Sequence, residues 1–189
     1  MAGTSLRFET NLDKVASNVA QLEHRLQSPQ ELLDKIGGYL KESTQKRFYA
    51  QSAPDGTLWK ALQPRYAKRK KYGKNKILTL HGDLRKFISW QPDGPDAVRV
   101  GSNLKYARIH QQGGEIKRPA REATQYLRKN ARTGKVGRLF VKKTKANHTR
   151  QVAIGAYTIT MHARPYLGLS EDDRSEISRV TLLWLNGKL

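Results

Sequence analysis

Between Lys117 and Arg150 the sequence carries twelve lysines and arginines against a single acid, Glu122, with few apolar residues among them. Such a segment cannot be buried as a core, because a buried charge without a partner is too costly. It must run over the outside as a basic excursion, and the core has to come from the flanking sequence. Apolar residues make up 37% of the 189, below the usual share of about 45–50%, so that core is small. A second run, Arg65, Lys68, Arg69, Lys70, Lys71, Lys74 and Lys76, also contains no acid. In total 36 basic residues face 16 acidic ones, a net charge of +20. Self-repulsion on that scale calls for a polyanion, an acidic protein surface or a crowded assembly to offset it.

The length suits one domain, 1–189, with an appendage. The sequence has no cysteine, which excludes disulfides and thiolate metal sites. The opening MAGTSLRFETNLDK lacks the apolar stretch of a secretory signal. No run approaches the roughly 18 apolar residues of a membrane-spanning helix. A soluble protein made in the cytoplasm, without a membrane partner, is expected; the Asn147-His148-Thr149 sequon is then accidental.

Leu12, Val15, Val19, Leu22 and Leu26 alternate at spacings of three and four, the narrow seam of a helix packed against one other helix. Ser28 and Pro29 read as the N-cap and first residue of a second helix, with Leu33, Ile36, Leu40 and Phe48 on one face. The prediction is an antiparallel helical pair over 11–50. Gly37-Gly38 costs the second helix about 1 kcal/mol per glycine, to be offset by a close helix crossing or a kink.

Pro54-Asp55-Gly56 supplies a turn, Trp59 an aromatic anchor, and ILTLHGDLRKFI a short helix centred on Leu84 and Phe87. Residues 88–101 predict a hairpin, with Ile88 and Trp90 on one arm and Val98 and Val100 on the other. YARIHQQ reads as a short helix ended by Gly113-Gly114. The excursion 117–150 reads as a β-arm or long loop with a mobile tip, and QVAIGAYTITM (151–161) as a strand after it. Ser170 caps a last helix whose Glu171-Asp172-Asp173 suits the positive end of the dipole. Ile177, Val180, Thr181 and Trp184 form its inner face, and Gly187 ends it. The fold class is α+β: an antiparallel sheet packed against the N-terminal helical pair and the C-terminal helix.

His110, beside Gln111 and Gln112, is the position that invites a catalytic reading. A general base needs an orienting partner and a substrate position, and no motif supplies them. A structural or interface hydrogen-bonding role fits better. His24, His81, His148 and His162 lack metal-ligand spacing, and there is no phosphate-binding glycine loop or nucleophile elbow. No metal or cofactor is expected, and an enzyme is the least supported class. The plainer reading of the basic runs is a solvated face, but a single acid, Glu122, stands against both of them. Tyr66, Tyr72 and Tyr126 can stack on bases or pack on the core. Without a recognised reading module, nucleic-acid contact would be to phosphates and sensitive to salt.

Three phrases stand in order between about Pro54 and Asp173: PDGTLWKAL with ILTLHGDLRKFIS, YARIHQQGG, and ARPYLGLSEDDRSEI. Together they resemble the virion morphogenesis or tail completion family of tailed bacteriophages, including Mu-like phages. The resemblance implies a structural virion protein that completes the tail and joins it to the DNA-filled head at the neck. It implies a homo-oligomer, a six-fold ring, among portal-connector and tail proteins and around the DNA backbone. Made in the host cytoplasm, the protein would reside in the virion. Six copies at +20 place about +120 in one ring.

In such an assembly Tyr106, His110, Gln111 and Gln112, with Trp59, read as neutral contacts to a subunit or neck protein. From charge alone, Arg128, Lys129, Arg132, Lys135, Lys142, Lys143, Lys70 and Lys71 read as contacts to DNA or an acidic partner. Leu167 and Gly168, in the phrase Ala163-Arg164…Leu167-Gly168, read as a core turn. The alternatives are a tail terminator that fixes tail length and a stand-alone basic nucleic-acid-binding protein.

Overall fold

The computed structural model describes residues 11–189, which fall in two compact units. The first runs up to Gln112 and resumes from Arg164 to Leu189; the second is Gly113–Ala163.

The first unit opens with α1, Leu12–Gln27, capped by the Asn11 side chain, which accepts from the Lys14 N–H at 3.0 Å. Ser28 closes this helix, its N–H donating to the Arg25 carbonyl at 3.0 Å. The cap position of α2, Gln30–Ala50, is taken by Pro29 and not by Ser28 as its sequence suggested. The seam of α1 is a second departure. No residue of α1 is buried, and Leu12, Val15, Val19 and Leu26 are exposed. Its expected helical neighbour, α2, turns its own buried face to other elements.

Those elements are a hairpin, β1 (Ser89–Pro92) with β2 (Val98–Gly101), and the last helix, α6 (Glu171–Leu185). Gly37 is buried where the hairpin crosses α2. A Cβ there would stand 2.6 Å from the Trp90 ring and 2.9 Å from Val98. The glycine therefore serves a close approach, but to a β-hairpin and not to a helix, and α2 continues unbroken through it. In the hairpin Trp90 faces Val100 and Pro92 faces Val98. An Arg99–Asp93 ion pair at 2.7 Å closes its loop.

The core gathers Phe48, Ala53, Trp59, Leu84, Ile88, Ala107 and Tyr166. Phe48 meets Trp59 edge-on, centroids 5.4 Å apart, and lies 5.3 Å from Tyr166, within the range of favourable aromatic pairing. Two short helices, α3 (Pro64–Arg69) and α4 (Asp83–Lys86), and α5 (Ala107–Gln112) complete the unit. Leu84 is buried as its position suggested, but Phe87 is 55% exposed and Ile88 points inward. The reason is local: Leu84 and Ile88 are four residues apart and share one face of the turn, which leaves Phe87 on the outside. Ser170 and Asp173 form a reciprocal capping box on α6.

The second unit is a two-stranded ribbon in two sections. β3 (Gly114–Arg118) pairs antiparallel with β6 (Tyr157–Met161), and β4 (Arg121–Leu127) pairs with β5 (His148–Ile154). Residues 128–147 form its tip, with a bridge between Lys129 and Val136 and a 3-10 turn at Lys143–Lys145. The paired region thus begins before 117, and 151–161 is its returning limb. Among the described residues the sheet content is three two-stranded ladders, one in the first unit and two in the second. The α+β class stands, distributed over these small antiparallel sheets.

Candidate interaction site

The segments around Trp59, α5 and 164–173 are distant in sequence and fasten together in the first unit. The Gln111 carboxamide makes three hydrogen bonds to residues 166 and 167. Its oxygen accepts from the N–H groups of Tyr166 (2.9 Å) and Leu167 (3.0 Å), and its nitrogen donates to the Leu167 carbonyl (2.9 Å). The Tyr166 hydroxyl donates to the Ala107 carbonyl at 3.2 Å, and burial raises its pKa, which keeps the donor proton in place. The Trp59 indole donates to the Pro165 carbonyl at 2.7 Å. Arg164 donates through its backbone to His110 O (2.8 Å) and through its guanidinium to Lys60 O (2.9 Å).

Arg47 secures the other side. It donates to the carbonyls of Tyr166 (2.9 Å) and Gly168 (2.8 Å) and pairs with the Asp173 carboxylate. Asp173, 1% exposed, also accepts from the Ser43 hydroxyl and the Ser170 N–H. Burial works against the charged carboxylate, but the Ser170 and Ser43 hydrogen bonds and the Arg47 charge outweigh it and lower its pKa. Gly168, at φ 146, leaves no room for a side chain, because a Cβ would lie 2.8 Å from the Pro54 ring.

This arrangement relocates several residues expected at an interface. Trp59 is buried and its indole is satisfied, and Gln111 has spent its amide inside the chain. The Trp59 indole is thereby withheld from a neighbour, and the Gln111 oxygen is committed to the chain. His110 is partly buried and its Nδ1 has no hydrogen-bond partner among the described residues. Burial, then the Arg164 charge, hold its pKa below the usual value, so the ring is neutral at pH 7. Tyr106 and Gln112 remain exposed. The Tyr106 ring stands edge-on to His110 at 5.9 Å, and Gln112 accepts from Arg108 at 3.0 Å.

Lys70 is the other relocation. It is 4% exposed, and its ammonium donates to the carbonyls of Gly73 (2.7 Å), Thr79 (2.7 Å) and Lys76. Burial lowers its pKa. It ties a loop and is withdrawn from the basic surface, whereas Lys71 is exposed and stands over the Tyr72 ring at 5.2 Å. Tyr66 and Tyr72 are also exposed, and Tyr126 is half-buried.

The second unit carries twelve basic residues against Glu115 and Glu122, a net +10, half the charge of the whole chain. Arg128, Lys129, Arg132, Lys135, Lys142 and Lys143 are all exposed at its tip. Sequence reasoning passed over two neighbours there, Leu139 and Phe140, which are also exposed. Their signal was a run of three apolar residues, Leu139-Phe140-Val141, without periodic context inside a basic segment.

On the first unit, Val19, Leu22, Glu23, Leu26 and Gln27 line a shallow groove on α1. Asp13 and Glu23 balance Lys14 and Arg25, so this helix has no net charge. Among the described residues no cluster of three or more His, Asp or Glu could hold a metal, and no helix is long and apolar enough to cross a membrane.

The profile of the phage virion morphogenesis family matches residues 9–186. The chain belongs to that family. Over 79 residues this family member is 42% identical to the putative capsid assembly protein G of Escherichia phage Mu. That stretch is 40% of the family member and 50% of the Mu protein, so the match spans half the length of the relative. No solved structure matches the family member. The phrases that carry its resemblance supply much of the fastening around Gln111, Arg164 and Tyr166, which makes their first role in this chain architectural.

Proposed function

We propose that this family member is a non-enzymatic structural protein that completes the phage tail and joins it to the DNA-filled head, acting at the neck as a ring of identical copies. Family membership over residues 9–186 is the observation that carries this reading. The name of the Mu relative, a putative capsid assembly protein, is of the same kind. The chemistry agrees: Gln111, Trp59 and Arg164 spend their polar groups on joining segments of the chain, which suits a scaffold. The open seam of α1 gives copies a place to meet. It is apolar at heptad spacing and uncharged overall, so two copies at +20 can approach there without setting positive charge on positive charge.

Electron microscopy of lysates made without the gene tests the reading. Filled heads beside separate tails of normal length are the expected result. Abnormally long tails would instead make the protein a tail terminator, and intact virions would overturn the assembly role. Self-association is tested by sedimentation of Val15→Glu/Val19→Glu. The variant should run as a monomer that still unfolds cooperatively, because both positions are exposed in the single chain.

The +10 ribbon favours one other reading, a stand-alone nucleic-acid-binding protein. It requires strong duplex binding without an assembly partner, together with normal virions when the gene is absent.

A further inference from the structure

The tip of the ribbon is built to present two apolar side chains. The Gly137 N–H donates to Arg128 O at 2.7 Å, and the Val141 N–H donates to Tyr126 O at 2.9 Å. These two bonds bracket Arg138-Leu139-Phe140 as a pinned three-residue excursion. The base of the tip is clamped as well: Asn147 accepts from the Lys129 N–H at 2.6 Å and donates to the Lys129 carbonyl at 2.8 Å. On this support Leu139 is 82% exposed and Phe140 is 70% exposed. Residues 128–147 hold eight basic residues and no acid.

We infer that this tip is a docking head for another virion protein, one that offers an apolar pocket for Leu139 and Phe140 inside a rim of carboxylates. The inference rests on the head–tail joining reading and names the kind of partner that the basic ribbon serves there. Phosphates would engage the cations without using Leu139 or Phe140, and a duplex would use those two side chains only by unstacking its bases, an outcome that the cross-link below reads directly. A second copy of the chain would bring a further +20 towards a tip with no acid in it. An acidic rim around an apolar pocket satisfies both parts of the surface. The cations speed encounter and align the tip, while the two apolar side chains hold it. Pinning the excursion beforehand lowers the ordering cost of docking.

The test uses the full chain in assembling phage, with Phe140 replaced by the photoreactive analogue p-benzoylphenylalanine. Irradiation should cross-link position 140 to a peptide of a different virion protein, and that peptide should carry an excess of Asp and Glu. Leu139→Ser/Phe140→Ser should fold and bind duplex DNA like the wild type, yet lower phage titre at least tenfold in complementation. Cross-links to DNA or to a second copy would overturn the proposal, and so would their absence. Sedimentation of the protein with anionic vesicles, lost in the double variant, would also overturn it. If the gene-less lysate lacks joined particles but the double variant restores them fully, the docking head fails alone. If the gene-less lysate contains intact virions, the joining function fails with it.

Discussion

Arg47 and Asp173 stand 126 residues apart and are both almost fully buried as an ion pair. Removing one partner of such a pair leaves an uncompensated buried charge, at a cost of about 3–5 kcal/mol. Arg47→Met should destabilise by that amount in denaturant unfolding. Combining it with Asp173→Asn should cost less than the sum of the single changes. His110 makes a separate prediction. Its folded pKa lies below the ordinary value, so as pH falls below about 6.5 the unfolded chain binds the proton first. Its contribution to stability is complete above that point and is lost as pH falls towards the folded pKa. Thermal unfolding between pH 7 and 5.5 should fall more steeply for the wild type than for His110→Gln.

At this scale the sequence named many of the residues but few of their jobs. Gln111 finds its partners 55 and 56 residues away, and Arg47 reaches Asp173 across 126. Pairing over such distances leaves no local pattern. The Ser170 cap, by contrast, was legible, because its partner is three residues away.

Among the elements, α2 offers a comparison within one dipeptide. Gly37→Ala gains helix propensity but drives a methyl into Trp90 and Val98. The overpacking should dominate and destabilise by about 1–3 kcal/mol. At Gly38 a Cβ meets nothing within 4 Å, so Gly38→Ala should stabilise by roughly 0.5–1 kcal/mol. Chemical denaturation of the two variants checks both signs. Periodicity located α1, α2, the hairpin and α6 because each is long or regular enough to repeat its pattern. It could not say that a hairpin would lie on Gly37 or that the seam of α1 would remain open, since periodicity marks a face without naming its neighbour. The ribbon was read too short at its base because its outer residues, Gly114–Ile116 and 151–161, lack the charge that marked the middle.

For the molecule as a whole, a charge of +20 predicts weak, sequence-independent duplex DNA binding by the isolated protein. Affinity should fall linearly with salt on a logarithmic scale. Arg128→Gln/Lys129→Gln/Arg132→Gln/Lys135→Gln should make that dependence shallower, by up to about 0.9 in slope for each phosphate no longer neutralised. Lys70→Met should leave the slope unchanged, because its ammonium is sealed among three carbonyls. Filter binding across a salt series separates the two.

The ribbon leaves at Gly113 and returns at Ala163. The two ends are so close that a Cβ on Gly113 would stand 2.7 Å from the Ala163 nitrogen. Within each ladder its residues pair one to one. One residue added to each limb lengthens it by about 3.3 Å but turns the tip to the opposite face. Two added to each limb extend it by about 7 Å with the facing preserved. The limbs therefore act as an adjustable gauge. Their span can be reset in paired steps while the closure at Gly113 and Ala163 stays as it is.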